Sequence, residues 1–158
     1  MKPTNITIVS GAINSGKTTK IKTLIATYKA ANLSIAGFYS EKVFVAKELV
    51  GYDLILLSSN EKIPFLRINS FGVSNRIGPY FINKNAFIFT DEELLDSEAS
   101  IVIMDEIGRL ELAGNGFSTL LTHLLAAFKG ELILTVRDVF LDEVISHWHI
   151  KNPTIIKI

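Results

Sequence analysis

Cysteine is absent from the chain, which excludes disulfides, thiolate metal sites and cysteine nucleophiles and agrees with a reducing compartment. An excess of one charge is absent too. Sixteen Lys and Arg offset sixteen Asp and Glu, so no global field favours nucleic acid or an anionic membrane, and any anion binding must be local. No apolar run approaches the ~18 residues of a membrane helix, and a strand begins within a few residues of Met1, leaving no room for a signal peptide. The expectation is a cytoplasmic protein without nucleic-acid or membrane partners. Repeats, linkers and low-complexity tracts are missing as well. What remains is core: 48% of the 158 residues are hydrophobic and ten are Phe. One domain over residues 1–158 is expected, large enough to bury roughly 70% of its unfolded surface.

Alternation of strand and helix patterns gives the fold class. The β-branched run NITIVS stops at Gly11, and from Lys17 the residues Ile21, Leu24, Ile25 and Tyr28 recur at helical spacing as far as Asn32. SIAGFYSEKVFV and ELVGYDLILLSS, separated by Ala46, Lys47 and Glu48, suggest an antiparallel hairpin. IPFLRI and RIGPYFIN read as two further short strands, and residues 85–97 as a helix. SIVIMDE is a short apolar run bounded by charge, as in a central parallel strand covered on both faces. Leu110 to Lys129 reads as one helical stretch with Gly130 as its stop, then ELILTV as a strand, LDEVISHWH as a helix and PTIIKI as a last strand. An α/β domain with a mixed sheet follows, carrying a strand-rich insert over about residues 34–83.

Gly11, Ala12, Ile13, Asn14, Ser15, Gly16, Lys17 and Thr18 match G-x-x-x-x-G-K-[ST] in full, after a strand and before an amphipathic helix. Glycines let such a loop curl so that successive N–H groups point at phosphate oxygens, and the helix start adds its positive dipole end. Lys17 can then reach the β- and γ-phosphates, and the Thr18 hydroxyl is placed to ligate Mg²⁺.

Asp105 and Glu106 end the apolar strand at the sheet edge where the loop also emerges. Asp105 suits a carboxylate that holds Mg²⁺ directly or through water, and Glu106 one that orients or deprotonates an attacking water. Capping of the strand end or the next helix is the plainer role for both. Asp105 to Gly108 also satisfies the D-x-x-G spacing of GTPases. The nearest base-reading string, Asn83, Lys84, Asn85, Ala86, lacks the acid that pairs with guanine.

These segments together resemble the THEP1-type nucleoside triphosphatases. GAINSGKTT, running through Thr19, resembles the family's phosphate loop, AGFYSEKV its GFYTEEV segment, and LVGYDLILLSS its GFDVVTL segment. RIGPYFIN is similar to the family's VGKYxV segment and MDEIGRLEL to its DEIGKMEL signature, in the same order over about residues 5–137. The resemblance implies a three-layer, RecA-like P-loop fold with a mostly parallel sheet. It also implies Mg²⁺-dependent hydrolysis of ATP, GTP and other NTPs with loose base choice. Carried over by position, the nucleotide-binding segments are Gly11 to Thr19 and the stretch Val102, Ile103, Met104, Asp105, Glu106, Ile107, Gly108 and Arg109. Family members commonly run on into a segment with an Asn-Arg pair, whereas this sequence reaches Ile158 after one short strand, so the resemblance does not carry over the base or oligomer contacts supplied there.

A cation near the γ-phosphate can be worth on the order of 10³ to 10⁵ in rate. Arg109 is the first choice for it, with Arg76 and Arg137 behind, and an ion-paired surface role stays open for each; without a well-placed cation, turnover is expected to be slow. Glu41 either nears the γ-phosphate or is a solvated strand end. His147, Trp148 and His149 fit a packed helix end better than a metal site. Phe38, Tyr39 and Tyr80 either stack on a base or are sheet aromatics. The leading function is thus an NTP hydrolase with Lys17, Glu106 and Arg109 at the γ-phosphate and Thr18 with Asp105 on Mg²⁺. Two other classes stay open. A small-molecule kinase would need an arginine-rich lid, for which the stretch from Arg67 to Arg76 has too few arginines. A GTP-binding adaptor, of the molybdopterin-guanine-dinucleotide B type with its N-S-G-K-T-T loop, would show guanine selectivity.

Overall fold

The computed structural model describes residues 3–69 and 75–158. Residues 70–74, part of the stretch weighed above as a kinase lid, lie outside the described residues. The chain begins with β1 (Asn5–Gly11) and α1 (Lys17–Ala30), then enters a run of strands: β2 (Ile35–Val45), β3 (Glu48–Leu56), β4 (Lys62–Arg67), β5 (Arg76–Ile77) and β6 (Tyr80–Ile82). It continues through α2 (Asn85–Leu94), β7 (Ile101–Ile107), α3 (Arg109–Leu112), α4 (Ser118–Ala127), β8 (Glu131–Arg137), α5 (Leu141–His147) and β9 (Thr154–Lys157).

Among the described residues, nine strands form one mixed sheet in the order β5-β6-β4-β3-β2-β7-β8-β1-β9. Strands β2, β7, β8, β1 and β9 run parallel, whereas β3 to β6 extend the sheet antiparallel beyond β2. The apolar run of β7 serves both faces, since side chains alternate along a strand. Ile101 and Ile103 pack with Ile21 and Ile25 of α1 on one face. Val102 and Met104 face the opposite layer, where α2, α4 and α5 contribute Ala86, Leu121, Leu124 and Val144. Helix, sheet and helix thus make three layers. Leu121 is fully buried, and truncating such a residue to Ala costs about 2–5 kcal/mol.

The β2–β3 turn uses Ala46 and Lys47, both with positive φ, 50° and 67°. This is the backbone a two-residue turn needs to match strand twist, reached here without glycine. Where β2 meets β7, glycine is required: a Cβ on Gly37, whose φ is +111°, would sit 1.9 Å from the Ile103 carbonyl oxygen.

Three expectations need correction. RIGPYFIN is a miniature hairpin, because Gly78 takes φ +55° and Pro79 follows it between β5 and β6. Leu110 to Lys129 is two helices, because Gly114 and Gly116 adopt positive φ, 83° and 60°, between α3 and α4. Gly130 is not a helix stop. The helix ends at Ala127, and Gly130 instead lets the chain pass close to β7, since a Cβ there would fall 2.4 Å from the Ser100 carbonyl oxygen. Among the described residues no helix is long and apolar enough to cross a membrane.

Candidate active site

The phosphate-loop sequence lies between the end of β1 and the start of α1, at the C-terminal edge of the parallel strands, the usual ligand edge of such sheets. Gly16 has φ +99° and Asn14 φ +56°, so the loop curls back on itself. No side chain caps α1 and no acid sits in its first turn, which leaves its first N–H groups and dipole end facing the loop. Lys17 is buried, 4% exposed, and its Nζ donates to the carbonyls of Gly11 at 3.2 Å and Ala12 at 2.8 Å. Beside it the Ser15 hydroxyl is buried without a hydrogen-bond partner.

Across the edge, β7 ends in an irregular register between Met104 and Ile107. In a regular strand, adjacent side chains point to opposite faces. The bulge removes that constraint, and Glu106 adopts φ +65°, a conformation costing about 1–3 kcal/mol for a residue with a side chain. As a result Asp105 and Glu106 both line one cavity. Asp105 is buried and fully engaged: Thr18 Oγ1 donates to its Oδ2 at 3.1 Å, the Ser40 N–H donates to the same oxygen at 3.0 Å, and Thr135 Oγ1 donates to Oδ1. Thr135 also accepts the Glu106 N–H at 2.7 Å and so fixes both acids from β8.

Burial pushes the Asp105 carboxyl up, and its three hydrogen bonds and the Lys17 ammonium oppose that shift. Glu106 also lies above the ordinary carboxylate range. Its accessible surface opens into the cavity while protein crowds its other sides, so desolvation is the larger cause and the Asp105 charge the second. Lys17, Arg137 and Lys42 pull it back down. Arg109 does not figure in that balance, so of the two arginines at the site it is Arg137 that acts on Glu106. Both guanidinium groups lie over the Phe140 ring, at 5.8 Å for Arg109 and 5.5 Å for Arg137. Arg137 Nε is buried without a hydrogen-bond partner among the described residues.

The cavity measures about 820 Å³ and is walled by Ile13 to Thr19, Asp105 to Arg109, Lys42, Arg137 and Phe140, with an aromatic wall beyond. Lys17, Thr18, Thr19, Asp105, Glu106, Ile107, Gly108 and Arg109 are thus brought together. Gly11 and Ala12 stand behind the wall and contribute carbonyls to Lys17. Val102, Ile103 and Met104 do not reach the cavity: each is fully buried, and their part is to anchor the strand that carries Asp105.

Among the weaker candidates, Glu41 lines the cavity but pairs with Lys62 at 3.0 Å. Phe38 is fully buried against Phe117, so it stacks on no base. Tyr39 lies under Lys22 on the α1 face, whereas Tyr80 does line the cavity. Arg76 covers Phe81 and is not among the residues walling the cavity. His147 packs edge-on to Trp148, whose indole donates to Thr122 at 3.1 Å. Among the described residues no cluster of three or more His, Cys, Asp or Glu is placed to hold a metal. Asn83 donates to the Pro64 carbonyl at the start of α2, away from the cavity.

Sequence reasoning missed Thr135, Ser40, Lys42, Phe140 and Glu111. Glu111 is buried and accepts the N–H groups of Gly108 at 3.0 Å and Phe117 at 3.1 Å, holding the α3–α4 corner against the site. Its place in the GRLEL string was the available signal.

Over 151 residues the chain is 29% identical to a protein of Sulfolobus acidocaldarius named nucleoside-triphosphatase THEP1, covering 94% of this chain and 87% of that one. A protein of the same name from Pyrobaculum islandicum is 29% identical over 118 residues, 75% of this chain and 66% of that relative, just under two thirds of its length. The solution structure of a human cancer-related nucleoside triphosphatase superposes with a TM-score of 0.78 at 21% identity, over 98% of this chain and 88% of that one, a likeness of fold. A family model described as NTPase matches residues 6–154, and the chain therefore belongs to the NTPase family.

Proposed function

We propose that this chain is a Mg²⁺-dependent nucleoside triphosphatase of the RecA-like P-loop class that removes the γ-phosphate of several NTPs slowly, as one domain over residues 1–158. The observation that carries the proposal is the meeting of Thr18 with Asp105, 3.1 Å apart, beside a Glu106 re-aimed by a strained bulge into the same cavity as Lys17. The position of β8 between β1 and β7 supports the RecA-like assignment, because the loop strand and the acidic strand are then not neighbours.

The donor set suits Mg²⁺. A hydroxyl and a carboxylate oxygen side by side are hard ligands, and this ion typically takes one or two protein ligands and completes its shell with phosphate oxygens and water. Thr18 and Asp105 would hold it, and when bound it supplies charge to the β- and γ-phosphate oxygens. The loop N–H groups and the α1 terminus bind the phosphate chain. Lys17 Nζ exchanges its carbonyl partners for β- and γ-oxygens. Glu106 orients a water for in-line attack on the γ-phosphorus and takes its proton. Arg137 lines the cavity and its charge acts on Glu106, which supports it as the stabilising cation at the γ-oxygens ahead of Arg109. Loose base selectivity is supported by the placement of Asn83 to Ala86 outside the cavity wall.

Phosphate release from ATP, GTP, CTP and UTP, each with Mg²⁺ and with a chelator, tests the proposal. Slow release from several of them, abolished by chelation, is expected. Tight binding of GTP alone, without release, would transfer the chain to the adaptor class.

A further inference from the structure

The cavity of about 820 Å³ that seats the nucleotide and holds Glu106 is also lined by residues of the antiparallel strands, which lie across β7 from the phosphate-loop strand. That side is a basin of different chemistry, walled by Tyr52, Phe65, Ile77, Pro79, Tyr80 and Phe117. Large, mainly apolar pockets with a few placed polar groups are small-molecule sites.

Its wall is rigid. Phe65 and Phe117 are buried and pack against each other at 5.7 Å, with Phe87 behind at 5.0 Å from Phe117. Tyr52 and Tyr80 meet edge to face at 5.6 Å. Both tyrosines line the cavity that also holds Glu106, so two phenol groups supply the polar element of an otherwise apolar basin. The direction of the nucleotide follows from the loop. With the phosphates on the loop and Lys17, and Thr18 and Asp105 kept for Mg²⁺, the γ end points to Glu106 on β7, and the aromatic residues of β3, β4 and β6 come from strands across β7 from β1, so the basin lies past the γ end.

We propose that this basin binds a small aryl alcohol whose hydroxyl, beside Glu106, accepts the γ-phosphoryl group, with hydrolysis the reaction when water takes its place. The proposal rests on the nucleoside-triphosphate assignment of the loop. The alcohol oxygen attacks the γ-phosphorus, the bond from that phosphorus to the β–γ bridging oxygen breaks, and its electron pair leaves with the nucleoside diphosphate. The hydroxyl proton passes to Glu106 and then to solvent. An arginine-rich lid is not required, since Arg109 and Arg137 already line the cavity from the body of the fold.

The full chain is incubated with Mg-ATP and, separately, benzyl alcohol, tyrosol or pyridylmethanol at millimolar concentration, and ADP, inorganic phosphate and phosphate ester are counted by ³¹P NMR and mass spectrometry. The expected result is ester formation with at least one alcohol and ADP in excess over free phosphate. Tyr80→Ala should lower the ester-to-phosphate ratio about tenfold. That ratio is independent of how much enzyme folds, and Ile77→Trp, which fills the basin, should lower it too. ADP equal to free phosphate with every alcohol overturns the proposal and leaves the hydrolase assignment standing. Ester with alcohol and no phosphate without it upholds the acceptor site but overturns the hydrolase assignment together with the water reaction stated here, and no ADP under any condition overturns both. Weakened ATP affinity in Tyr80→Ala with an unchanged product ratio would assign the basin to the nucleobase and overturn the proposal.

Discussion

The two halves of the sheet build the two ends of the cavity by different means. The parallel half delivers charge: β1, β7 and β8 each end at one edge, where Asp105 and Glu106 lie in the last residues of β7, Arg137 closes β8 and Lys17 follows the loop after β1. The antiparallel half delivers surface, with β3, β4 and β6 and their aromatic residues forming a wall with few formal charges facing the site. A phosphate-handling end depends on electrostatics that one substitution can destroy, whereas an aromatic wall distributes its effect over many contacts. Substitutions should therefore be graded steeply at one end and gently at the other.

The largest effect is expected for Lys17→Ala and Glu106→Gln, each lowering phosphate release by about 10³–10⁴-fold. Lys17→Ala should weaken nucleotide binding as well, and Glu106→Gln should not, which titration of binding beside steady-state release separates. Next comes Arg137→Ala, with a loss of about 10²–10³-fold, the range for removing one preorganised charge donor. Arg109→Ala should cost at least tenfold less, and equal losses would break the distinction drawn from the field at Glu106.

Thr135→Val follows, because it strips Asp105 of one hydrogen bond and leaves the Glu106 N–H without a partner. A cost of about 1–3 kcal/mol in unfolding free energy is expected by denaturant titration, with a smaller fall in turnover. The smallest effect belongs to the antiparallel half. Phe44→Ser, at the exposed tip of the β2–β3 hairpin, should change stability within about 0.5 kcal/mol.

The acids of the site also set a pH dependence. Asp105, Glu106 and Glu111 all lie above the ordinary carboxylate range, Asp105 and Glu111 chiefly through burial and Glu106, exposed to the cavity, through desolvation by its neighbours and the Asp105 charge. The folded protein therefore holds these protons more tightly than the unfolded chain. Their contribution to stability is full below the ordinary carboxylate range and is lost as pH rises through the raised values. Glu106→Gln should raise the melting temperature of the nucleotide-free protein at neutral pH, with the gain shrinking as pH falls. Phosphate release should show its acid limb above the ordinary range for Glu, because the base works only when ionised.

The same two halves differ in how far the sequence announces them. The phosphate loop is legible because its chemistry needs fixed residues at fixed spacing, and the alternation of strand and helix around it gives the parallel half. The pairing of Asp105 with Thr18 follows from the same logic. Thr135 is not legible: a threonine in an apolar strand looks like a β-former, and only the register of β8 on β7 puts its hydroxyl between two acids. The bulge at Glu106 is hidden for a similar reason, since no glycine marks the positive φ. In the other half, the Gly78–Pro79 turn and the Gly114–Gly116 break were present as residues, yet apolar periodicity around them outweighed the turn signal. The aromatic wall gathers Tyr52, Phe65, Tyr80 and Phe117 from four separate elements or linkers, which no local pattern could foretell.

The central claim is that Glu106, strained into the cavity, drives attack on the γ-phosphorus after Lys17 and Thr18 have bound the nucleotide. Single-turnover phosphate release from Mg-ATP, compared between wild type and Glu106→Gln at saturating protein with binding measured on the same samples, tests it most directly. The account predicts unchanged binding and at least a thousandfold slower release, in the range expected for a general base. Equal release rates in the two proteins would contradict it.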